Sequence, residues 1–519
     1  MKKDQSMVKN LVILLAEITV IFLMIFNIFP REAGLFITGL LFFYFIFSPI
    51  EDSLWVFIAS IPLFIALPIT ENLDTLANWR ILIIVLFLVL FFRKGISIRW
   101  KLKENLKHYQ WEYLVSILLL IAVFSLFPAI NIWVGIKKII FLINAFLLYI
   151  ILRNLINKNE RKEEIVNKII GGIKVAVGLV LGVGFIQFFS VFFVTLFNFW
   201  QFWARHIINV FYGDSLSNLL SYSNTWFSYY TSLPATLRMF SVFPDSHSFA
   251  FFCILSLPFF LTIIFLNSEK DKRKKIVSYI LLIFCLLAII FSGSRGAWVS
   301  ALGSLLVFLF ISWTKFFIPK SKKNLKNQMG LIIGCLIIFF LLFPIASRIL
   351  LFSQQIQLER PLDLENASLF ERARSIIDFD EISVKSRLEI WRRTVDSIMI
   401  HPVLGIGIGN YPVVLNEKMS SAKKGSSAHN LYLDIAAEMG VFALIILLIV
   451  FWQILKRSWF IFQEKIKTNN RFLQVWSGFF VLALIWILGY SLFDVVLLND
   501  KVLLFFIANL SLLYTSKYV

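Results

Sequence analysis

Apolar runs of membrane-crossing length, separated by short polar connections, recur along most of the chain. ILIIVLFLVLFF from Ile81 and MGVFALIILLIVFWQIL from Met439 are two of them, and a helix needs about 20 such residues to cross a bilayer. The ten-residue alternation of a porin-like barrel strand is missing, so the runs are read as helices. Their count predicts about fourteen spans, near residues 10–29, 33–49, 54–69, 77–92, 114–130, 132–152, 169–197, 246–267, 276–293, 297–316, 331–350, 438–455, 473–494 and 501–516. The expected fold is all-α: a polytopic integral membrane bundle of about 12–14 transmembrane helices, with a large outward-facing loop that carries short helices. The first run follows MKKDQSMVKN without a small-residue cleavage site, so it is read as a retained span and not as a signal peptide.

Threading these spans back and forth puts RKGISIRWKLKENLK, RNLINKNERKEE, SEKDKRKK, PKSKKNLK and KRSWFIFQEKIK on one side, together with both termini. By the positive-inside rule that side is the cytoplasm. The other face receives an outer loop near 198–245, the short SGSRG turn and a long loop over 351–437. The chain thus divides into transmembrane helices over 1–350, the outer loop 351–437 and C-terminal helices over 438–519. Long loops of this kind commonly carry function.

Composition agrees with this reading. Apolar residues make up 59% of the chain and charged residues 16%, with a mean hydropathy of +0.82, against roughly 45–50% apolar in soluble domains. The net charge of +19 does not point to nucleic acid, because the inner-face connections account for it. Cys253, Cys285 and Cys335 lie inside apolar runs and suit small core residues, with no sign of a disulfide or a metal site. Gly178 and Gly182, four apart, suit close helix packing in lipid. Lys174 and few other charges fall well inside spans.

Arginines on the outer face are not needed for topology, and four outer stretches concentrate polar residues. In FSGSRGAW, Arg295 sits in a two-glycine turn with Ser294 and Gly296. Glycines let backbone N–H groups approach a ligand, and arginine grips phosphate oxygens bidentately; a residue snorkelling to the interface would look the same. Arg238 stands before SVFPDSHSFA, and Arg387 opens an amphipathic helix running to Met399. Three such arginines facing one compartment can form an anion site. HPVLGIGIGNYP holds Gly405, Gly407 and Gly409; with no βαβ unit around it, it reads as a turn shaping a cavity wall, not a dinucleotide fingerprint. His401, before Pro402, reads as a helix stop, and Asp245 and His247 as caps of the span that follows them. In SSAHNLYLDIAAEMG, His429 and Asn430 open a helical pattern. Eleven residues separate His429 from Gly440, about three turns, which predicts one shared helix face. The positive end of that helix favours a neutral imidazole able to accept a proton.

Together the four stretches resemble the O-antigen ligase and polymerase family of bacterial envelope glycosyltransferases. The resemblance rests on His429-Asn430 followed by nine residues and Gly440, on Ser294-Arg295-Gly296, and on the run from Arg387 through Trp391 to Pro402, Gly405 and Gly407. Ala443 departs from the family's signature, which has Gly, Thr or Tyr there. The ligase-like region covers about 238–455, while the N-terminal half matches only as a multi-span scaffold.

The resemblance implies transfer of a glycan from a polyprenyl (undecaprenyl) diphosphate carrier to a hydroxyl of a lipid, glycan or protein acceptor. The reaction would take place on the outer face of the bacterial cytoplasmic membrane, without cofactor, metal or nucleic acid. It further implies His429 as the base and Arg295, Arg238 and Arg387 as diphosphate ligands. A repeat-unit polymerase of the same family is the nearest alternative. A lipid-linked oligosaccharide flippase is an alternative of another class, expected to carry midplane charges and internal repeats.

Overall fold

The computed structural model describes residues 2–69, 76–95, 110–158, 162–222, 226–229, 235–266, 272–314, 323–358, 382–416, 427–463 and 470–514. Parts of the long loop expected over 351–437, residues 359–381 and 417–426, lie outside them.

The fold is all-α. Its first half comprises α1 (Lys2–Ile25), α2 (Ala33–Phe47), α3 (Ile50–Ala59), α4 (Asn78–Lys94), α5 (Gln110–Phe124), α6 (Ile132–Lys158) and α7 (Lys162–Ser190). A hairpin of short helices follows, in the stretch expected as an outer loop: α8 (Leu196–Phe202), a π-helical turn (Trp203–Ile208), α9 (Asn209–Tyr212) and α10 (Asp214–Ser221). Strands β1 (Phe227–Ser228) and β2 (Thr236–Leu237) then pair antiparallel, Phe227 opposite Leu237. The second half comprises α11 (Ser246–Leu266), α12 (Lys272–Phe291), α13 (Arg295–Trp313), α14 (Lys323–Leu341), α15 (Phe343–Leu358), α16 (Ile382–Ile400), α17 (Leu431–Met439), α18 (Val441–Phe462), α19 (Arg471–Tyr490) and α20 (Asp500–Leu513).

Among the described residues, eight helical stretches are long and apolar enough to cross a membrane, and three shorter ones are apolar. Helices also lie along the other expected spans, and what apolar content does not reveal is where a helix breaks. The stretch expected to span 54–69 is the clearest case: α3 stops at Ala59, a 3₁₀ turn covers Ile61–Leu63, and the chain runs on extended to a bridge between Ala66 and Ala77. Its two ends meet opposite ends of α4. Arg93 donates to the Ser48 carbonyl and Lys94 pairs with Glu51, while the Asn78 amide donates to the Ile65 carbonyl. The segment is therefore a broken crossing. A break frees carbonyls that need a donor, and the buried Lys501 ammonium supplies one to Pro62 at 2.9 Å, lying 4.2 Å over the Phe211 ring.

Packing turns on α11, buried along nearly its whole length against α12 and α19. Close approach of α7 to α3 uses Gly171 and Gly172: a Cβ at Gly172 would stand 3.0 Å from the Trp55 carbonyl oxygen. Gly178 and Gly182 do not have the expected packing role, since a Cβ at either meets nothing within 4 Å. The three cysteines are buried and unpaired. Charges within spans are more numerous than the sequence suggested, and several of them are paired. Lys138 meets Glu438 at 2.6 Å, and Lys168 meets Asp52 at 2.6 Å.

The bundle has two chemically distinct ends. One joins Ser6, Asp52, Lys168, Lys94 and Glu112–Arg153, where the basic connections attach. The other gathers the α5–α6 turn, the start of α11, the turn before α13, the α17 region and the α19–α20 turn. That second end is the site end.

Candidate functional site

The SGSRG turn forms because α12 cannot continue through Gly293, which sits at φ +63°. Ser294 then caps α13, accepting the Ala297 amide, and Arg295 is the first residue of that helix, half-buried. Arg238 arrives from β2. Its amide donates to the Trp226 carbonyl and its Nε to Ser228 Oγ at 3.3 Å. A Cβ at Gly293 would lie 3.2 Å from Arg238 Cγ, so the Arg238 side chain rests on the turn that carries Arg295. Gly296 gives room for the α19–α20 turn, with Phe493 Cβ only 2.7 Å from where its Cβ would be.

His429 is not on a helix. It sits before α17 in the left-handed region at φ +47°, which few non-glycine residues adopt. Its neighbours hold it there. On one side the Ala428 amide donates to Asp434 Oδ1 at 3.0 Å, and the Ala428 carbonyl accepts from Trp391 Nε1 at 3.0 Å. On the other, Asn430 Oδ1 caps α17 by accepting the Tyr432 and Leu433 amides, and the Leu431 amide donates to the Ser491 carbonyl. Backbone strain fixed from both sides in this way is typical of functional positions. Among the described residues, the buried Nδ1 of His429 has no hydrogen-bond partner. Burial, and then the positive charge of Arg387, hold the imidazole pKa below its ordinary value. Trp391, one turn along α16 from Arg387, ties that helix to the His429 loop.

The expected three-turn face linking His429 to Gly440 does not exist. Asn430 starts α17 and Gly440, at φ +86°, ends it before α18 begins. Close approach at Gly440 is real but concerns another partner: its Cβ would stand 2.0 Å from the Val403 carbonyl oxygen. The glycine loop wraps this break. The Ile406 amide donates to the Ala437 carbonyl, Gly407 to Glu438 and Val441 to Pro402. Gly405 and Gly407 both have positive φ; a Cβ on Gly405 would lie 2.4 Å from the Ala437 oxygen, and one on Gly407 2.5 Å from Ala129. The loop is thus a latch between the α17–α18 break and the α5–α6 turn. His401 stands exposed just past α16.

Sequence reasoning missed the network that joins these parts. His247 does not cap α11; Asp245 does, accepting the Ser248 amide at 2.7 Å. The Nδ1 of His247 lies 3.1 Å from Ser294 Oγ, 2.9 Å from Tyr490 OH and 3.5 Å from Asp494 Oδ2. Ser294 and Tyr490 hydroxyls are 2.6 Å apart. Burial pushes Asp494 up to about 6, opposed by the Val495 amide and by Arg387. Burial also pushes Asp245 up to about 6, with Asp494 adding to the rise. Asp434, behind the His429 loop, is raised to about 7 by burial and by Glu438. An aspartate in the otherwise apolar SLFDVVLL was the available signal for Asp494. Among the described residues no group of three His, Cys, Asp or Glu side chains forms a metal site.

The structure therefore gathers Arg238, Ser294, Arg295, Arg387 and His429 at one end of the bundle, with Asp494 and Tyr490 between the SGSRG turn and α16. Residues 280–448 match the family model described as O-antigen ligase. The match runs from α12 into α18, less than half of the chain, so this stretch is similar to O-antigen ligases and supports a ligase- or polymerase-like function in polysaccharide biosynthesis. No match to a curated protein was found.

Proposed function

We propose that this membrane protein transfers a glycan from a polyprenyl diphosphate carrier to a hydroxyl acceptor at the outer face of the cytoplasmic membrane. The bond between the anomeric carbon and the carrier's diphosphate oxygen breaks, and one from that carbon to the acceptor oxygen forms. His429 takes the acceptor's proton, and the diphosphate leaves on the carrier with its charge met by Arg295, Arg238 and Arg387. The observation that carries this reading is the pairing of a strained, half-buried, weakly basic imidazole with Arg387, at the end where Arg238 lies over the turn of Arg295. Attachment of the basic connections to the opposite end supports the outward orientation.

The deciding assay gives purified protein a polyprenyl-diphosphate-linked oligosaccharide. Longer carrier-linked chains identify a polymerase, and transfer to a separate acceptor identifies a ligase. Failure to release carrier diphosphate with any acceptor would overturn the reading.

A pH dependence follows. The base must be neutral, so transfer is present above the His429 pKa and falls away as pH drops through it. Burial and Arg387 place that limb on the acid side of 6.5. In Arg387→Gln the charge contribution is gone and burial remains, so the acid limb of kcat/KM, which reports the free enzyme, is expected to move toward 6.5 without passing it. An unmoved limb would separate Arg387 from His429.

A further inference from the structure

A polar cavity opens at the site end, with His429 not among its lining residues. The end of α1 turns at Asn27, φ +56°, and packs against the π-helical turn Trp203–Ile208 of the hairpin of short helices. Such turns are rare and often functional. Between them lies a cavity of about 340 Å³ lined by Asn27, Arg31, Arg205, His206 and Asn209 together with apolar side chains. Its size is at the low end for a bound small group, which are usually about 300–1,000 Å³.

Its charge is cationic. Arg31 pairs with Asp214 at 2.6 Å, and Asp214 also accepts from Asn209. Asn27 Nδ2 lies 3.3 Å from His206 Nδ1, and the His206 ring stacks on Phe202. Arg205 is exposed and has no ion pair among the described residues, so one positive charge is left over. Its setting is apolar. Phe26, Ile28, Phe29 and Phe202 are all exposed, and the Phe26 and Phe202 rings are 6.0 Å apart. The cavity is lined from Met24, at the end of the 21-residue apolar stretch Gln5–Ile25, to Arg31 just beyond it, which places it at headgroup depth. An anion that reaches a cationic cavity through a rim of exposed aromatic side chains carries its own hydrocarbon.

We propose that this cavity binds the phosphate headgroup of a membrane lipid, gripped by Arg205. Two sources share that chemistry: bulk anionic phospholipid and the polyprenyl phosphate carrier. The site stands without the transfer reaction, since it shares no residue with the His429 machinery.

Native mass spectrometry of the full chain with phosphatidylglycerol, phosphatidylcholine and polyprenyl phosphate tests it. Arg205→Gln is expected to weaken binding of a phosphate lipid about tenfold, the worth of one charged hydrogen bond, with Lys94→Gln at the opposite end unchanged. Loss with phosphatidylglycerol alone identifies bulk anionic lipid, loss with polyprenyl phosphate alone identifies the carrier, loss with both identifies anionic phosphate lipids in general, and loss with phosphatidylcholine as well identifies the phosphate itself. Arg205 is exposed, so its replacement leaves the fold intact. Parent-like binding of all three lipids by Arg205→Gln, or an equal loss in Lys94→Gln, would overturn the proposal.

Discussion

His429→Gly is expected to lower glycan transfer by about 10²–10⁴-fold, the range contributed by a positioned base, while the protein melts with the parent. The imidazole Nδ1 makes no hydrogen bond among the described residues, so its removal breaks none there, and glycine accepts φ +47° without penalty. Alanine at the same position keeps the left-handed strain, about 1–2 kcal/mol. Comparing the two variants separates loss of the base from the conformation of the loop: both should be inactive, with His429→Ala, under the strain the parent already carries, no more stable than His429→Gly. Added imidazole should restore part of the activity of His429→Gly. Rates of diphosphate release equal to the parent in either variant would remove His429 from the mechanism.

Gly440→Ala is expected to be the most damaging small substitution in the site. The residue lies at φ +86° and ψ 170°, a region left almost entirely to glycine, and its Cβ would meet the Val403 oxygen at 2.0 Å. Backbone strain and overpacking together cost about 2–6 kcal/mol. The neighbour here is backbone, so no side chain can swing aside. Gly178→Ala and Gly182→Ala, where a Cβ meets nothing within 4 Å, serve as controls and should melt like the parent. A Gly440→Ala protein with the parent's melting temperature and activity would mean that the latch of 402–407 does not hold the α17–α18 break.

Much of this was legible in the sequence. Hydropathy gave the helical membrane class, and Asn430 acts as the helix cap its side chain suggested. Ser294 marks the start of α13, and the amphipathic pattern from Arg387 to Met399 is α16. What periodicity could not show was interruption. An apolar run reads the same whether its helix continues or stops, so the break after Ala59 and the one at Gly440 were hidden. Assembly was hidden as well. His247 comes from α11, Ser294 from the turn before α13, and Tyr490 and Asp494 from the end of α19 and the turn after it, and only tertiary packing makes these three regions neighbours. His247, two residues after Asp245, reads in the sequence as a second capping residue, but its ring points across to Tyr490 of α19.

The anchoring of the His429 loop also bears on how the family-matched stretch can be used. Residues 280–448 contain His429, Arg295 and Arg387, yet the loop is tied down by Ser491 and by Leu488, whose carbonyl accepts from Tyr432. Arg238 and His247 come from before the stretch, Tyr490 and Asp494 from after it. The matched segment is therefore not a portable module: a chimera exchanging only 280–448 between scaffolds would carry the side chains proposed to react but leave behind the walls that hold their loop. Exchange of specificity between relatives needs grafts that respect the α11–α13–α19 junction as one unit.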